Sequence, residues 1–200
     1  MIRTYLYIIL ISLIMFGCNS KDSAKNAEQK EKGAATSDDQ DLGRKDFQNA
    51  IWGLSKSEVK LTEAYDPSGE DESSLIYSRK VLGINALVGY IFANNKLVRG
   101  KCMFQSQYAS SNDYITYYNK IKTVLEKKYG KARADKIIWN NDYYKGSTKD
   151  WGLAVSKGYL VYLSSWDTKK SGISLSLSGT DNKINLWLEY KSKALAGLEK

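Results

Sequence analysis

Three short clusters of serine, lysine and asparagine stand in an order that could support acyl transfer: Ser57-Glu58-Val59-Lys60, Ser110-Ser111-Asn112 and Lys170-Ser171-Gly172. In that chemistry Ser57 is the nucleophile and Lys60 its base, because a serine hydroxyl attacks well only when a neighbouring group takes its proton. Residues 66–72, DPSGEDE, set carboxylates and a hydroxyl at alternate positions, as oxygen-donor calcium loops do. Asp142, Asp150 and Asp167 are further acids, and hydrolysis of a glycan needs two carboxyl groups about 5 to 9 Å apart across a cleft. The chain contains no histidine, which excludes Ser-His-Asp and Cys-His catalysis and every histidine-bearing zinc site. Two cysteines, Cys18 and Cys102, are too few for a disulfide framework or a cysteine-cluster metal site.

The serine and lysine clusters resemble, in order, the motifs of penicillin-recognising enzymes. A domain over residues 47–200 is too small for that fold, and patterns of this length arise by chance in a chain so rich in serine and lysine. Ser55 and Glu58 also account for the first cluster as a helix-capping box. The acidic run lacks the remaining ligands and the glycine placement of an EF-hand and reads as a solvated loop. Cys102 alternates with Gly100 and Phe104 along a strand and reads as a buried small hydrophobe. No catalytic constellation and no cofactor is expected.

The N-terminus is more specific. Arg3 precedes an apolar stretch over residues 5–16, broken only by Ser12, that ends at Gly17 and Cys18. A stretch of about 12 residues falls short of the about 20 that cross a bilayer, so it reads as a secretion signal over residues 1–17. Leu13-Ile14-Met15-Phe16-Gly17-Cys18 resembles the lipobox of bacterial lipoproteins, with Met15 and Phe16 standing where leucine and a small or branched residue are usual. The resemblance implies cleavage before Cys18 and a diacylglycerol on its sulfur, each buried methylene adding about 0.8 kcal/mol of membrane affinity. Asn19 follows the cysteine in place of the aspartate of an inner-membrane retention signal, which leans toward the outer membrane, on its periplasmic or surface face.

Residues 18–46 read as the lipidated cysteine and a tether. From residue 19 onward that segment has one large aliphatic residue, Leu42, no aromatic, six basic and seven acidic side chains, and cannot bury enough apolar surface to offset chain entropy. As a flexible coil it spans about 30 Å, root mean square. The chain as a whole is 42% hydrophobic with 30 basic and 22 acidic residues, a formal net charge of +8, so the excess positive charge falls on a single domain over residues 47–200.

In that domain Ser55 and Glu58 cap a helix, Leu54 and Val59 sit at staple positions, and the helix ends near Tyr65. Segments 75–81, 84–93 and 96–105 read as strands, the last two joined by a tight turn at Asn94-Asn95. A second helix is capped by Asn112, carries Tyr114, Tyr118, Ile121 and Leu125 at helical spacing, and closes at Gly130. Strands follow at 137–140, 153–156, 159–166, 173–177 and 184–190, then a short C-terminal helix. The expected fold is α+β, two αβββ-like units with helices packed on antiparallel sheet. Element order and the opening Trp52-Gly53-Leu54-Ser55-Lys56-Ser57-Glu58-Val59 are similar to the SmpA/BamE-type lipoproteins of outer-membrane assembly and to the β-lactamase-inhibitor-protein fold.

Aromatic residues crowd the second half: Trp139, Tyr143, Tyr144, Trp151, Tyr159, Tyr162, Trp166 and Trp187. Strand alternation assigns most of them to the core. Tyr143 and Tyr144, flanked by Asn141, Asp142, Lys145 and Gly146, read as an exposed loop and are candidate binding aromatics. Lys127 and Lys128 near the end of the second helix complement its dipole and are candidates for anionic headgroups or phosphorylated glycans. The expected function is a non-enzymatic, lipid-anchored envelope protein that binds an envelope protein or glycan and, being exported, no nucleic acid. The competing expectations are a cell-wall hydrolase or transferase using carboxylates, and an inhibitor of a secreted enzyme.

Overall fold

Local signals position the first elements. In the computed structural model, which describes residues 45–105 and 107–199, helix α1 (Lys56–Thr62) begins at a complete capping box: Ser55 accepts from the Glu58 N–H while the Glu58 carboxylate accepts from the Ser55 N–H at 2.8 Å. A two-residue strand β1 (Gly69–Glu70) is followed by a meander of β2 (Ser74–Val81), β3 (Ile84–Ala93) and β4 (Lys96–Phe104). The turns are set by residues that tolerate positive φ, with Asn94 at 49° and Asn95 at 55°, the signature of a two-residue hairpin. Helix α2 (Ser111–Tyr129) closes at Gly130, whose φ of 83° suits a residue without a side chain. Then come β5 (Ala134–Trp139), helix α3 (Trp151–Ser156), β6 (Leu160–Asp167), β7 (Ser171–Thr180) and β8 (Lys183–Ser192).

The strands form one antiparallel sheet of eight, in the order β1-β2-β3-β4-β8-β7-β6-β5. All three helices lie on one side of it. Side chains at alternate strand positions, among them Leu75, Val88, Cys102, Leu188, Leu175 and Tyr162, meet Val59 of α1, Tyr118, Ile121 and Leu125 of α2, and Ala154 and Val155 of α3 in a continuous core. Cys102 is fully buried, and burial pushes its thiol up to about 12. The N-terminal segment joins the same layer: the Phe47 ring lies over Gly100, where any Cβ would collide with it. Asp46 accepts a 3.0 Å bond from the Trp52 N–H, and Gly53 and Leu54 exchange backbone hydrogen bonds with Leu97.

Two local expectations are overturned. Residues 153–156 belong to α3 rather than to a strand: a short apolar run does not distinguish the two, and here Gly152 lets α3 approach α2 so closely that a side chain would strike the Ser111 and Asn112 backbone. Asn112 is not the cap of α2. Ser110 is, in a second capping box with Asp113, while the Asn112 side chain reaches across to accept from the Gly152 N–H at 2.6 Å and to donate to the Lys149 carbonyl at 2.9 Å. Smaller differences are an earlier end to α1, an earlier start to β5, a longer β7, and a single 3-10 turn, Ala196–Leu198, for the C-terminal helix.

Candidate functional site

With α1, α2 and α3 on one side, the opposite face of the sheet carries no α-helix among the described residues, and the C-terminal segment reaches it only where Glu199 bonds Arg99 at 2.7 Å. Strand register lines up Leu87 of β3, Met103 of β4, Trp187 of β8, Ser176 of β7 and Leu163 of β6 in one row across it. None of these belongs to the core, and each is half-buried against its neighbours, so the row is apolar surface held by the sheet itself. Ser174, Ser176 and Ser178 give β7 a low, hydroxyl-bearing surface beside Trp187.

A charged row runs alongside. Lys101 Nζ sits 3.4 Å above the Trp187 ring and 4.0 Å from Glu189, which also faces Lys191 at 3.3 Å and Arg99 at 3.9 Å. Three cations thus surround Glu189, and one of them, Arg99, is held more closely by Glu199 at 2.7 Å. Burial holds the Lys101 ammonium below its ordinary value, and the contact with the indole face is an attraction that grows as water is excluded. A half-buried tryptophan and an arginine in the adjoining charged row are the residue types that anchor protein interfaces.

The residues singled out in the sequence lie elsewhere. Tyr143 is 79% exposed in the loop after β5, whereas Tyr144 is half-buried, stacked on Tyr159 at 6.1 Å and packed against the core. Lys127 and Lys128 are exposed in the last turn of α2, and the tyrosine loop is tied to its first turn through Asn112. About 24 Å of helix therefore separates the two candidate groups. Trp166 is buried and donates to the Gly130 carbonyl at 3.0 Å, and Trp139 packs edge-on to Trp151 at 5.7 Å. Cys18 and residues 19–44 lie outside the described residues.

Several of the groups considered for catalysis are engaged in local structure. Lys60 pairs with Glu70 at 2.7 Å, Ser110 caps α2, and Ser171 accepts from the Trp52 indole N–H at 2.9 Å. Asp142 pairs with Lys145, Asp150 accepts from Ser147, and Asp167 pairs with Arg133 and Lys193. In the acidic loop Asp71 accepts from the Ser73 N–H and the Ser74 hydroxyl, which hold its carboxyl below the usual range. Among the described residues no group of three or more acidic or cysteine side chains is placed to hold a metal ion. No described helix is long and apolar enough to cross a membrane.

Two cavities among the described residues adjoin Trp52 and Trp151, respectively. One, of about 380 Å³, lies where the chain enters the domain, between Trp52, Leu195, Asp46, Lys96, Lys169 and Lys170. The other, of about 280 Å³, lies under β5. Compared with protein-family models, curated proteins and solved structures, the chain matches none.

Proposed function

We propose that this protein is a non-enzymatic binding module of the bacterial envelope, anchored through diacylglycerol on Cys18, that docks a partner protein on the bare face of its sheet. The observation that carries the reading is the apolar row centred on Trp187. A face of this composition, apolar along its middle and flanked by charges, is what protein interfaces present. The cations around Glu189 and the surplus of basic residues in the domain favour a partner with an acidic rim.

The architecture fits the reading. The meander β2-β3-β4 with α1 and the meander β6-β7-β8 with α2 act as two αβββ-like units that join through β4 and β8, which places the seam, and Trp187 with it, at the centre of the bare face. The anchor and tether then present this face to a partner at the outer membrane, on its periplasmic or surface side.

The anchor is tested by growing cells with an alkyne-bearing fatty acid and assaying label and membrane association of the full chain. The expected result is label in the wild type and neither label nor membrane association in Cys18→Ala. Equal labelling of both would overturn the anchor. The docking face is tested separately by photocrosslinking from Leu87, Met103 and Trp187, where a discrete protein adduct is expected and its absence would overturn the face.

A further inference from the structure

The sheet edge at β5 points to a second site, independent of the bare face. β5 is the last strand of the sheet, and the backbone N–H of Asn140 just beyond it donates to the Tyr159 carbonyl at 2.7 Å on the β6 side. The β5–β6 register runs without interruption, so antiparallel alternation turns the backbone groups of Ala134, Lys136 and Ile138 toward β6. Those of Asp135, Ile137 and Trp139 therefore face outward, and no described residue pairs with them. Proteins usually blunt such edges by shortness, a bulge or charge. The opposite edge, β1, has only two residues, but β5 has six, and it exposes Ile137 by 54% and Ile138 by 39%.

Directly beneath this edge lies the cavity of about 280 Å³, walled by Ile115, Tyr118 and Lys122 of α2, Ile137 of β5, Trp151 of α3 and Tyr162 of β6. Most of its buried polar groups are matched among themselves. Tyr118 bonds Ser164 at 2.6 Å, Ser164 donates to Asp135 at 2.7 Å, and Lys122 pairs with the other oxygen of Asp135. Tyr162 is only 5% exposed, and its buried hydroxyl has no hydrogen-bond partner among the described residues. A buried hydroxyl without a partner is costly, and one beside a cavity marks where a ligand's polar group belongs. Burial pushes this phenol up to about 12, so it is a neutral donor at physiological pH.

We propose that β5 accepts an extended peptide segment of another protein by strand addition, one side chain of the segment entering the cavity under Ile137 to bond the Tyr162 hydroxyl. Main-chain bonds to Asp135, Ile137 and Trp139 supply affinity, and the cavity selects a side chain with an apolar stem and a polar tip. Lys131 and Lys136 make no ion pair among the described residues, while Lys122 and Arg133 are paired, so the added segment carries acidic residues beside its anchor. The same lysines set like charges together if a second copy pairs through β5. A sugar could occupy the cavity but would leave the edge groups unmatched.

The test is selection of a displayed library of random octapeptides on the detergent-solubilised full chain, followed by anisotropy titration of the enriched peptides. Enriched peptides are expected to alternate β-branched residues with acids. Ile137→Pro removes an outward N–H, which an edge strand tolerates, and should weaken binding at least about 10-fold. Tyr162→Phe should weaken it about 5-fold, and Leu61→Ala, exposed on α1 away from both faces in play, should leave it unchanged. If Ile137→Pro does not fold, hydrogen exchange in the wild type decides: bound peptide should slow the Asp135, Ile137 and Trp139 amides. Any of four results overturns the proposal: no enrichment over a support without protein, equal binding by the wild type, Ile137→Pro and Tyr162→Phe, no slowing of those amides, or binding of N-acetylglucosamine tetramer with no peptide bound.

Discussion

Replacing Arg79 by methionine should be among the most damaging single changes in the domain. Arg79 grips the Glu63 carboxylate with two bonds, 2.6 Å and 3.2 Å, and donates to the Tyr90 hydroxyl at 2.9 Å, while that hydroxyl donates to Glu63. The Glu63 side chain is only 5% exposed, at the C-terminal end of α1 over β2 and β3. Methionine keeps the length of the stem but leaves a buried carboxylate with Tyr90 alone, a loss of about 3 to 5 kcal/mol. Removing both charges together, Arg79→Met with Glu63→Leu, should cost far less, because an apolar pair needs no desolvation of charge. The coupling energy of the cycle should then exceed about 2 kcal/mol. Urea unfolding followed by tryptophan fluorescence reads it directly: with a slope of about 2 kcal/mol per molar, the Arg79→Met midpoint should fall by about 2 M. A fall of less than about 0.5 M, or a double variant as unstable as the sum of the singles, would refute the reasoning.

Other consequences are simpler to check. Gly152→Ala puts a methyl into the Ser111 and Asn112 backbone, so α3 must back away from α2 and stability should drop by about 1 to 3 kcal/mol in thermal melts, against no change for Gly146→Ala, which faces open space. Lys193 and Arg133 hold the Asp167 carboxyl below the usual range. That stabilisation is full above the unfolded carboxylate value near about 4 and is lost as pH falls through the lower folded value, so Asp167→Asn should lose less stability than wild type between about pH 5 and 2. Because that pair is largely solvated, the difference should stay under about 1 kcal/mol. Cys102, protonated and buried, should ignore a thiol reagent at pH near about 8 until urea unfolds the chain; rapid native reaction would contradict its placement.

The legible parts of the fold were those written in local chemistry. The Ser55-Glu58 capping box, the Asn94-Asn95 turn and the Gly130 terminus need only residue type and spacing, and the strands around them fall where alternation puts them. α3 was not legible because Leu153, Ala154 and Val155 carry no period, and what makes them helical is the space Gly152 leaves for α2. Nor was the Asn112 side chain, which abandons its helix start for a partner 40 residues away. The bare face shows why site reading from sequence stops short. Alternation along 96–105 separated Lys101 and Met103 from Cys102, but which set faces solvent depends on where the helices dock, and that also moves Trp187 from a core position to the surface. The orphaned Tyr162 hydroxyl has no sequence signature at all, since it arises from a cavity between four elements.

Photocrosslinking in living cells tests the docking face most directly. A benzophenone amino acid placed in the full, lipidated chain at Leu87, Met103 or Trp187 lies on the bare face, and one at Lys127 or Lys157 lies on the helix side. The account predicts one discrete protein adduct from the first three positions, absent from the other two and lost when Cys18→Ala releases the chain. The same adducts from both sides of the sheet, or none from Leu87, Met103 and Trp187, would contradict it.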